Sequence, residues 1–165
     1  MTSPKITIED PDQPEIHALL EQADRYYAGL YPPEENHLLD IASLKTDGTA
    51  FLVARIDGQV MGYGAVVKRG EDAEGAWGEV KRMFVAPAAH GKRVGKTLLE
   101  ALESYARRQG INCLRLETGN RQPEALGLYH AAGFRNIDPF DGYGPSDYSL
   151  FMEKRLAYAK PQHGQ

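Results

Sequence analysis

Apolar residues recur along the chain at two spacings, one typical of strands and one typical of helices. Residues 5–9 alternate apolar and polar positions, whereas residues 15–30 carry apolar side chains three and four positions apart. Asp57-Gly58 separates two apolar runs and is a strong hairpin signal. The pattern predicts strands over 5–9, 49–56, 59–68, 80–85, 111–117, 134–137 and 148–153. It predicts helices over 15–30, 93–109 and 123–132, and a short helix around 38–44.

The stretch from 79 to 97 combines a strand, a glycine-containing turn and the start of a helix. Pro87 stops the strand because proline cannot donate to a sheet ladder. The first turn of the following helix leaves backbone N–H groups without partners, and the helix dipole adds partial positive charge there. Gly91 and Gly95 would let the backbone approach a ligand. The arrangement predicts a phosphate cradle rather than an ordinary basic turn.

One known phosphate-binding pattern, the P-loop, matches this stretch only at its end. Gly95-Lys96-Thr97 supplies the closing residues, but the first glycine that the pattern requires falls on His90. A nucleotide-binding P-loop protein is therefore kept as an alternative that magnesium-dependent ATP binding would favour.

Length and charge suggest one domain with a small anionic ligand. The 165 residues are enough for one core, so we expect a single domain over 1–157 and a polar tail over 158–165. The net charge of −4 argues against general nucleic-acid binding. Against that background, a local basic cluster would suit a small polyanion, and its members are Lys81, Arg82, Lys92, Arg93 and Lys96.

Cysteine and histidine usage predicts neither a disulfide nor a metal site. Cys113 is the single cysteine, and the five histidines show no metal-ligand spacing. The N-terminus lacks a signal-peptide core and no apolar run approaches a membrane span, so we expect a cytoplasmic protein without a membrane partner.

The segment after the central strand resembles the acetyl-CoA signature of the GNAT superfamily of N-acetyltransferases, Arg/Gln-x-x-Gly-x-Gly/Ala before a helix. Gly95 matches the final small residue and Val94 the apolar position, while His90 and Arg93 replace the opening Arg/Gln and the first glycine. The order β-α-α-β-β-β-α-β-α-β-β is also that of the family. The resemblance covers nearly the whole chain and continues through Phe151-Met152-Glu153-Lys154.

This resemblance implies an α/β (α+β layered) fold, a mixed and mostly antiparallel sheet flanked by helices, that binds acetyl-CoA as co-substrate without a metal. Backbone groups of Met83, Phe84 and Val85 would pair with the pantetheine arm like an extra strand. Gln122 stands where many members have an Asn, and would contact the same arm. The pyrophosphate would lie in the loop formed by His90, Gly91, Lys92, Arg93, Val94, Gly95 and Lys96.

Acetyl transfer to an amine needs a neutral amine and a departing thiolate. Tyr129 matches the family tyrosine whose hydroxyl lies near the thioester sulfur, where it would bind the cofactor and protonate or orient the thiolate. Glu79 aligns with a carboxylate that some members use as general base, often through water. Other candidates for the base are Glu117, His37 and the carboxylates Glu34 and Glu35.

The acceptor pocket is expected to lie at the loop after the first helix, which is polar and aromatic. Candidate substrate-binding residues are Tyr31, Glu35, Asn36, His37 and Tyr143. We therefore predict an N-acetyltransferase that acts on the primary amine of a small polar molecule by direct attack on the thioester. The alternative is a non-catalytic acyl-CoA-binding sensor with the same fold. The last predicted strand, 148–153, is expected at a sheet edge, where it could pair between subunits of a homodimer.

Overall fold

The alternating segments form a seven-stranded sheet in the computed structural model, which describes residues 3–35 and 40–156. The strands are β1 Lys5–Ile8, β2 Thr49–Ile56, β3 Gln59–Asp72, β4 Gly75–Val85, β5 Cys113–Gly119, β6 Arg135–Ile137 and β7 Ser149–Arg155. The helices are α1 Pro14–Ala28, α2 Ile41–Leu44, α3 Val94–Arg108 and α4 Pro123–Ala131. Their order along the chain is the predicted one, and the predicted tail lies outside the described residues.

The strands lie in the order β1-β2-β3-β4-β5-β7-β6. Each neighbouring pair is antiparallel except β4 and β5, which are parallel. A parallel pair needs a long crossover connection, and a 3-10 turn at Pro87–Ala89 followed by α3 provides it. None of the helices described is long and apolar enough to cross a membrane.

Helices cover both faces of the sheet and define two apolar cores. On one face, Leu98 and Leu102 of α3 belong to the same buried cluster as Val80 of β4. On the other face, Ile16 of α1 belongs to the cluster that contains Tyr63 of β3. The predicted layered fold is therefore confirmed, and side chains on the two faces of β4 pack into different cores.

The hairpin between β3 and β4 is longer than predicted. The sequence predicts strands that end at 68 and resume at 80, but β3 continues to Asp72 and β4 begins at Gly75. Trp77 stabilises this extension, since its ring packs edge-on against Phe140 and lies 4.6 Å from the Arg115 guanidinium carbon. Glu79 consequently lies inside a strand, and its predicted position at the strand's start is wrong.

The last strand is not at a sheet edge. β7 pairs with β5 on one side and with the three-residue β6 on the other. The expectation that 148–153 offers a free edge for pairing between subunits is therefore wrong, because β6 pairs with the outer edge of β7.

An ion pair ties the end of β1 to β2. Arg55 donates from Nε and Nη2 to the two carboxylate oxygens of Glu9, at 2.9 and 2.8 Å. These hydrogen bonds lower the pKa of Glu9 from 4.5 to about 2, against the opposing effect of burial. The carboxylate therefore stabilises the fold fully above pH 4.5, and this contribution is lost as the pH falls towards about 2.

We expect Glu9→Gln to make the free energy of unfolding depend less on pH below pH 4.5. The variant should be less stable than the parent near neutral pH, and the difference should shrink as the pH falls below 4.5, because the parent's Glu9 then takes up a proton. Urea unfolding at a series of pH values measures this. Glu71→Gln, at an exposed position of β3, is the control and should follow the parent. An unchanged difference at all pH values would contradict the assignment.

Candidate functional site

The sheet opens between β4 and β5. Their parallel pairing covers only Trp77 to Glu79 on β4, opposite Cys113 to Arg115 on β5. Beyond these residues the described structure records no pairing between the two strands, and a cavity lies there. Its lining comes from β4 (Val80, Lys81, Arg82, Met83), β5 (Leu116, Glu117, Thr118, Gly119), α4 and its start (Gln122, Ala125, Tyr129), and Tyr27, Tyr31, Tyr148 and Ser149.

A bulge in β4 lies at this opening. Tyr63 pairs with Phe84 and Ala65 with Lys81, so β4 uses one residue more than β3 over the same span. Arg82 lies in the bulge with a φ of 57°, a conformation that non-glycine residues rarely adopt. The extra residue increases the local twist and leads β4 away from β5.

The predicted pantetheine-binding residues follow the bulge. Met83 packs into the core on the α3 side, and Phe84 packs into the core on the α1 side. Their side chains thus fill the two cores, and only backbone groups on the side towards β5 would meet a ligand. Val85 pairs with Gly62 of β3 on one edge, and the described structure records no pairing with β5 on its other edge.

The predicted phosphate loop joins β4 to α3 at one end of the opening. Gly91 and Arg93 both have positive φ, 83° and 63°, and the first helical bond runs from the Thr97 N–H to the Arg93 carbonyl. The N–H groups of the three preceding helical residues lack intrahelical partners, as in any helix. Exposed side chains surround them, from His90, Lys92, Arg93 and Lys96.

Two residues of this loop have structural reasons for their identity. Val94 is buried in the core on the α3 side, so only its backbone can face a ligand. A Cβ on Gly95 would lie 3.1 Å from Leu128 Cδ2, so a small residue is needed there for α3 to pack against α4. The role of Gly95 as a site of close ligand approach remains a prediction.

Tyr31 and Gln122 meet at the mouth of the cavity. The Tyr31 hydroxyl donates to Gln122 Oε1 at 3.0 Å and accepts from the Arg121 N–H at 3.0 Å. Gly119 makes room for this contact, since a Cβ there would lie 1.9 Å from the Tyr31 hydroxyl oxygen. Gln122 stands at the N-cap position of α4 but its side chain makes no capping bond. The structure thus brings together one predicted acceptor residue and one predicted cofactor residue.

Tyr129 of α4 also lines the cavity. Its ring packs edge-on against Phe134, and its side chain is largely buried. Burial raises its pKa above the ordinary range, and the charges of Tyr27 and Glu117 raise it further. The hydroxyl therefore stays protonated at neutral pH and can act as a donor.

Glu79 is held in a closed hydrogen-bond network. Its side chain is 0% exposed, and Arg69 donates from Nε and Nη2 to Oε1 at 2.9 and 2.8 Å. The Tyr143 hydroxyl donates to Oε2 at 2.8 Å, and Lys81 Nζ lies 3.5 Å from that oxygen. Burial and the Glu79 charge raise the pKa of Tyr143. Neither Glu79 nor Tyr143 lines the cavity, and their predicted roles in catalysis and acceptor binding are not favoured by this geometry.

Glu117, the alternative base, lies at the cavity itself. It is on β5, and the Ser149 hydroxyl donates to its Oε2 at 2.5 Å. Of the remaining acceptor candidates, Asn36 and His37 lie outside the described residues, as does the side chain of Glu35. In the described ranges 3–35 and 40–156, no three His, Cys, Asp or Glu side chains are grouped so as to hold a metal ion.

A family model described as Acetyltransferase (GNAT) family matches residues 16–134. This chain belongs to the GNAT family. An IAA acetyltransferase from Azospirillum brasilense is 48% identical over 93% of this chain and 99% of its own length. A Klebsiella pneumoniae structure named as an acyl-CoA N-acyltransferase is 33% identical, with a TM-score of 0.75 over 93% of this chain and 98% of its own. The structure of the Salmonella typhimurium acetyltransferase yncA with its cofactor acetyl-CoA is 22% identical, with a TM-score of 0.70 over 98% and 99%, and shows the shared fold.

GNAT membership confirms the predicted fold and makes the chain an acyltransferase. It also shows that the P-loop alternative is wrong, since the strand–turn–helix segment belongs to a sheet of GNAT topology. The predicted basic cluster divides between two places. Lys92, Arg93 and Lys96 lie around the start of α3, whereas Lys81 and Arg82 line the cavity. Sequence reasoning missed this division because nothing in the local pattern signals the bulge.

Proposed function

We propose that this GNAT enzyme transfers the acetyl group of acetyl-CoA to the primary amine of a small polar molecule, which attacks the thioester directly. The observation that carries the proposal is the opening between β4 and β5, where a carboxylate and a protonated tyrosine line the same cavity. The name of the Azospirillum brasilense relative, IAA acetyltransferase, supports acetyl as the transferred group.

The donor would lie in the gap between the two strands. The N–H groups at the start of α3, with Lys92 and Lys96 beside them, suit the pyrophosphate because they combine unpaired donors with positive charge. The β5-facing backbone of residues 83–85 would add hydrogen bonds to the pantetheine arm, as a further strand would. This placement directs the thioester towards Tyr129.

We assign the general base to Glu117 rather than to Glu79. The acceptor enters as an ammonium ion and must lose a proton before its nitrogen can attack. Glu117 lines the cavity, and its hydrogen bond from Ser149 fixes the carboxylate without consuming both oxygens. Glu79 is enclosed, and its two oxygens already accept bonds from Arg69 and Tyr143. The proton would pass from the ammonium group to Glu117 either directly or through a water molecule.

Tyr129 completes the step. As the nitrogen–carbon bond forms and the carbon–sulfur bond breaks, the electron pair leaves with sulfur, and the Tyr129 hydroxyl supplies the proton that yields the CoA thiol. Of the three ammonium protons, one passes to Glu117 before attack and then to solvent. A second leaves the nitrogen through water as the amide forms and replaces the proton that Tyr129 gave to sulfur, and the third stays on the amide nitrogen. Glu117 is then a carboxylate again and Tyr129 is protonated, ready for the next turnover.

A single experiment distinguishes the transferase from the alternative, an acyl-CoA-binding sensor. We expect thiol release from acetyl-CoA to depend on added amine, and Tyr129→Phe to lower kcat by about tenfold or more while acetyl-CoA affinity changes little. Titration of acetyl-CoA measures binding separately. Tyr105→Phe, at a half-buried position of α3 that does not line this cavity, is the control and should keep the parent's kcat. Binding of acetyl-CoA without thiol release from any amine would contradict transfer and leave the sensor.

A further inference from the structure

Gln122 has a side-chain amide that the fold holds but does not use. It stands at the N-cap position of α4, where a polar side chain ordinarily accepts a hydrogen bond from the first helical turn, and it makes no such bond. Its Oε1 accepts from the Tyr31 hydroxyl at 3.0 Å, and no hydrogen bond from its Nε2 is recorded among the described residues. Because Gln122 lines the cavity between β4 and β5, its NH2 group can donate to a ligand there.

The Tyr31 hydroxyl determines which end of this amide is left for a ligand. A tyrosine hydroxyl has a single proton to donate. Its oxygen already accepts from the Arg121 N–H at 3.0 Å, so the proton is available for Gln122 Oε1. Burial raises the pKa of Tyr31, and the hydroxyl keeps this proton at neutral pH. With the amide reversed, two N–H groups would compete for the hydroxyl oxygen and its proton would lose the acceptor, so the network directs Nε2 away from Tyr31.

The surroundings of Tyr31 hold its hydroxyl in place. The Tyr31 side chain is buried, and its ring packs edge-on against that of Tyr148. Gly119 leaves the space for the contact, since a Cβ there would collide with the Tyr31 hydroxyl and lie 2.7 Å from Gln122 Oε1. The hydroxyl therefore has a fixed position from which it can orient the amide.

We infer that Tyr31 belongs to the donor site, where its hydroxyl orients the Gln122 amide so that Nε2 donates to an amide carbonyl of the pantetheine arm. The inference rests on the proposed function, which places this arm beside residues 83–85, and Met83 and Gln122 line the same cavity. An arm that bonds β4 on one side presents carbonyl oxygens on its other side, where they need a donor. Tyr31 is thus a positioning residue for acetyl-CoA and not a wall of the acceptor pocket, the role that the sequence predicts.

The affinity for acetyl-CoA, measured by titration without any amine, tests this assignment. Tyr31→Phe removes the hydroxyl and releases the amide, so Kd should rise by about three- to tenfold, the effect of one hydrogen bond. Gln122→Met keeps the length of the side chain but has no donor, and it should raise Kd by a similar factor. Both effects should also appear with CoA, which has the same arm. Tyr26→Phe is the control, because Tyr26 is an exposed tyrosine of α1 whose hydroxyl makes no recorded hydrogen bond, and its variant should bind as the parent does.

The double variant shows whether Tyr31 acts through Gln122. If it does, Tyr31→Phe raises Kd in the parent and has little further effect when Gln122→Met is already present. Equal factors in the two backgrounds would overturn the inference. An unchanged Kd for acetyl-CoA together with a raised KM for the amine would also overturn it, and would keep Tyr31 in the acceptor pocket. An effect on acetyl-CoA that is absent with CoA would assign Gln122 to the thioester carbonyl, against the inference.

These titrations separate the inference from the proposed function on which it rests, because they need no turnover. Absence of thiol release with every amine would refute the transfer. A rise in Kd that depends on both Tyr31 and Gln122 would still assign Tyr31 to the donor site of a protein that only binds acetyl-CoA.

Discussion

Glu117→Gln is expected to lower kcat/KM for amine acetylation by about 100-fold or more, within the range usual for loss of a general base. Glutamine keeps the size of the side chain and can still accept from Ser149, but it cannot take up a proton from the acceptor. The binding of acetyl-CoA should change little, because the proposed phosphate and pantetheine contacts lie elsewhere. Thiol release under subsaturating amine, with a parallel acetyl-CoA titration, measures both quantities.

Glu124→Gln provides the control for this substitution. Glu124 is an exposed carboxylate in the first turn of α4 and does not line the cavity, so its variant should keep the parent's kcat/KM. An activity of Glu117→Gln close to that of the parent would remove Glu117 as the base. It would return attention to the unassigned carboxylates near the first helix, among which Glu34 and Glu35 were named from the sequence.

Local signals made much of the architecture readable from the sequence. The hairpin at Asp57-Gly58 joins β2 and β3, and both residues adopt the positive φ that this dipeptide favours. Pro87 lies just past the end of β4, at the start of the 3-10 turn that leads into α3. Such features depend on a few consecutive residues, and so the turn between β4 and α3 could be predicted without a structure. The binding of phosphate by this turn stays a prediction.

The acceptor side could not be predicted, because contacts between distant residues decide it. Glu79 was predicted to be the general base, and the hydrogen-bond partners that enclose it, Arg69 and Tyr143, lie 10 and 64 positions away along the chain. Neither contact follows from periodicity. The bulge at Arg82 is equally hidden, since a run of Lys-Arg-Met-Phe reads as a regular strand. The choice of Glu79 as the base stays a prediction, and the geometry favours Glu117 because Glu117 lines the cavity.

Arg69→Met is expected to lower the free energy of unfolding by about 2 kcal/mol, because two hydrogen bonds to a fully buried carboxylate are lost. Removing one partner of a buried ion pair typically costs about 3 to 5 kcal/mol when no other group is left to contact the remaining charge. Here Tyr143 and Lys81 stay next to Glu79 and limit the loss. Urea unfolding of the variant and the parent at neutral pH measures the difference.

Arg107→Met is the matched control for Arg69→Met. Both arginines have side chains 32% exposed, and both face a glutamate that is nearly or fully buried, Glu103 in the case of Arg107. The difference lies in the geometry: Arg107 is 3.7 Å from Glu103, which keeps Lys154 at 2.7 Å. We therefore expect Arg107→Met to cost less than about 1 kcal/mol. Equal costs for the two variants would contradict a special role of Arg69. A large cost for Arg69→Met alone would establish that the hydrogen bonds from Arg69 to Glu79 stabilise the fold.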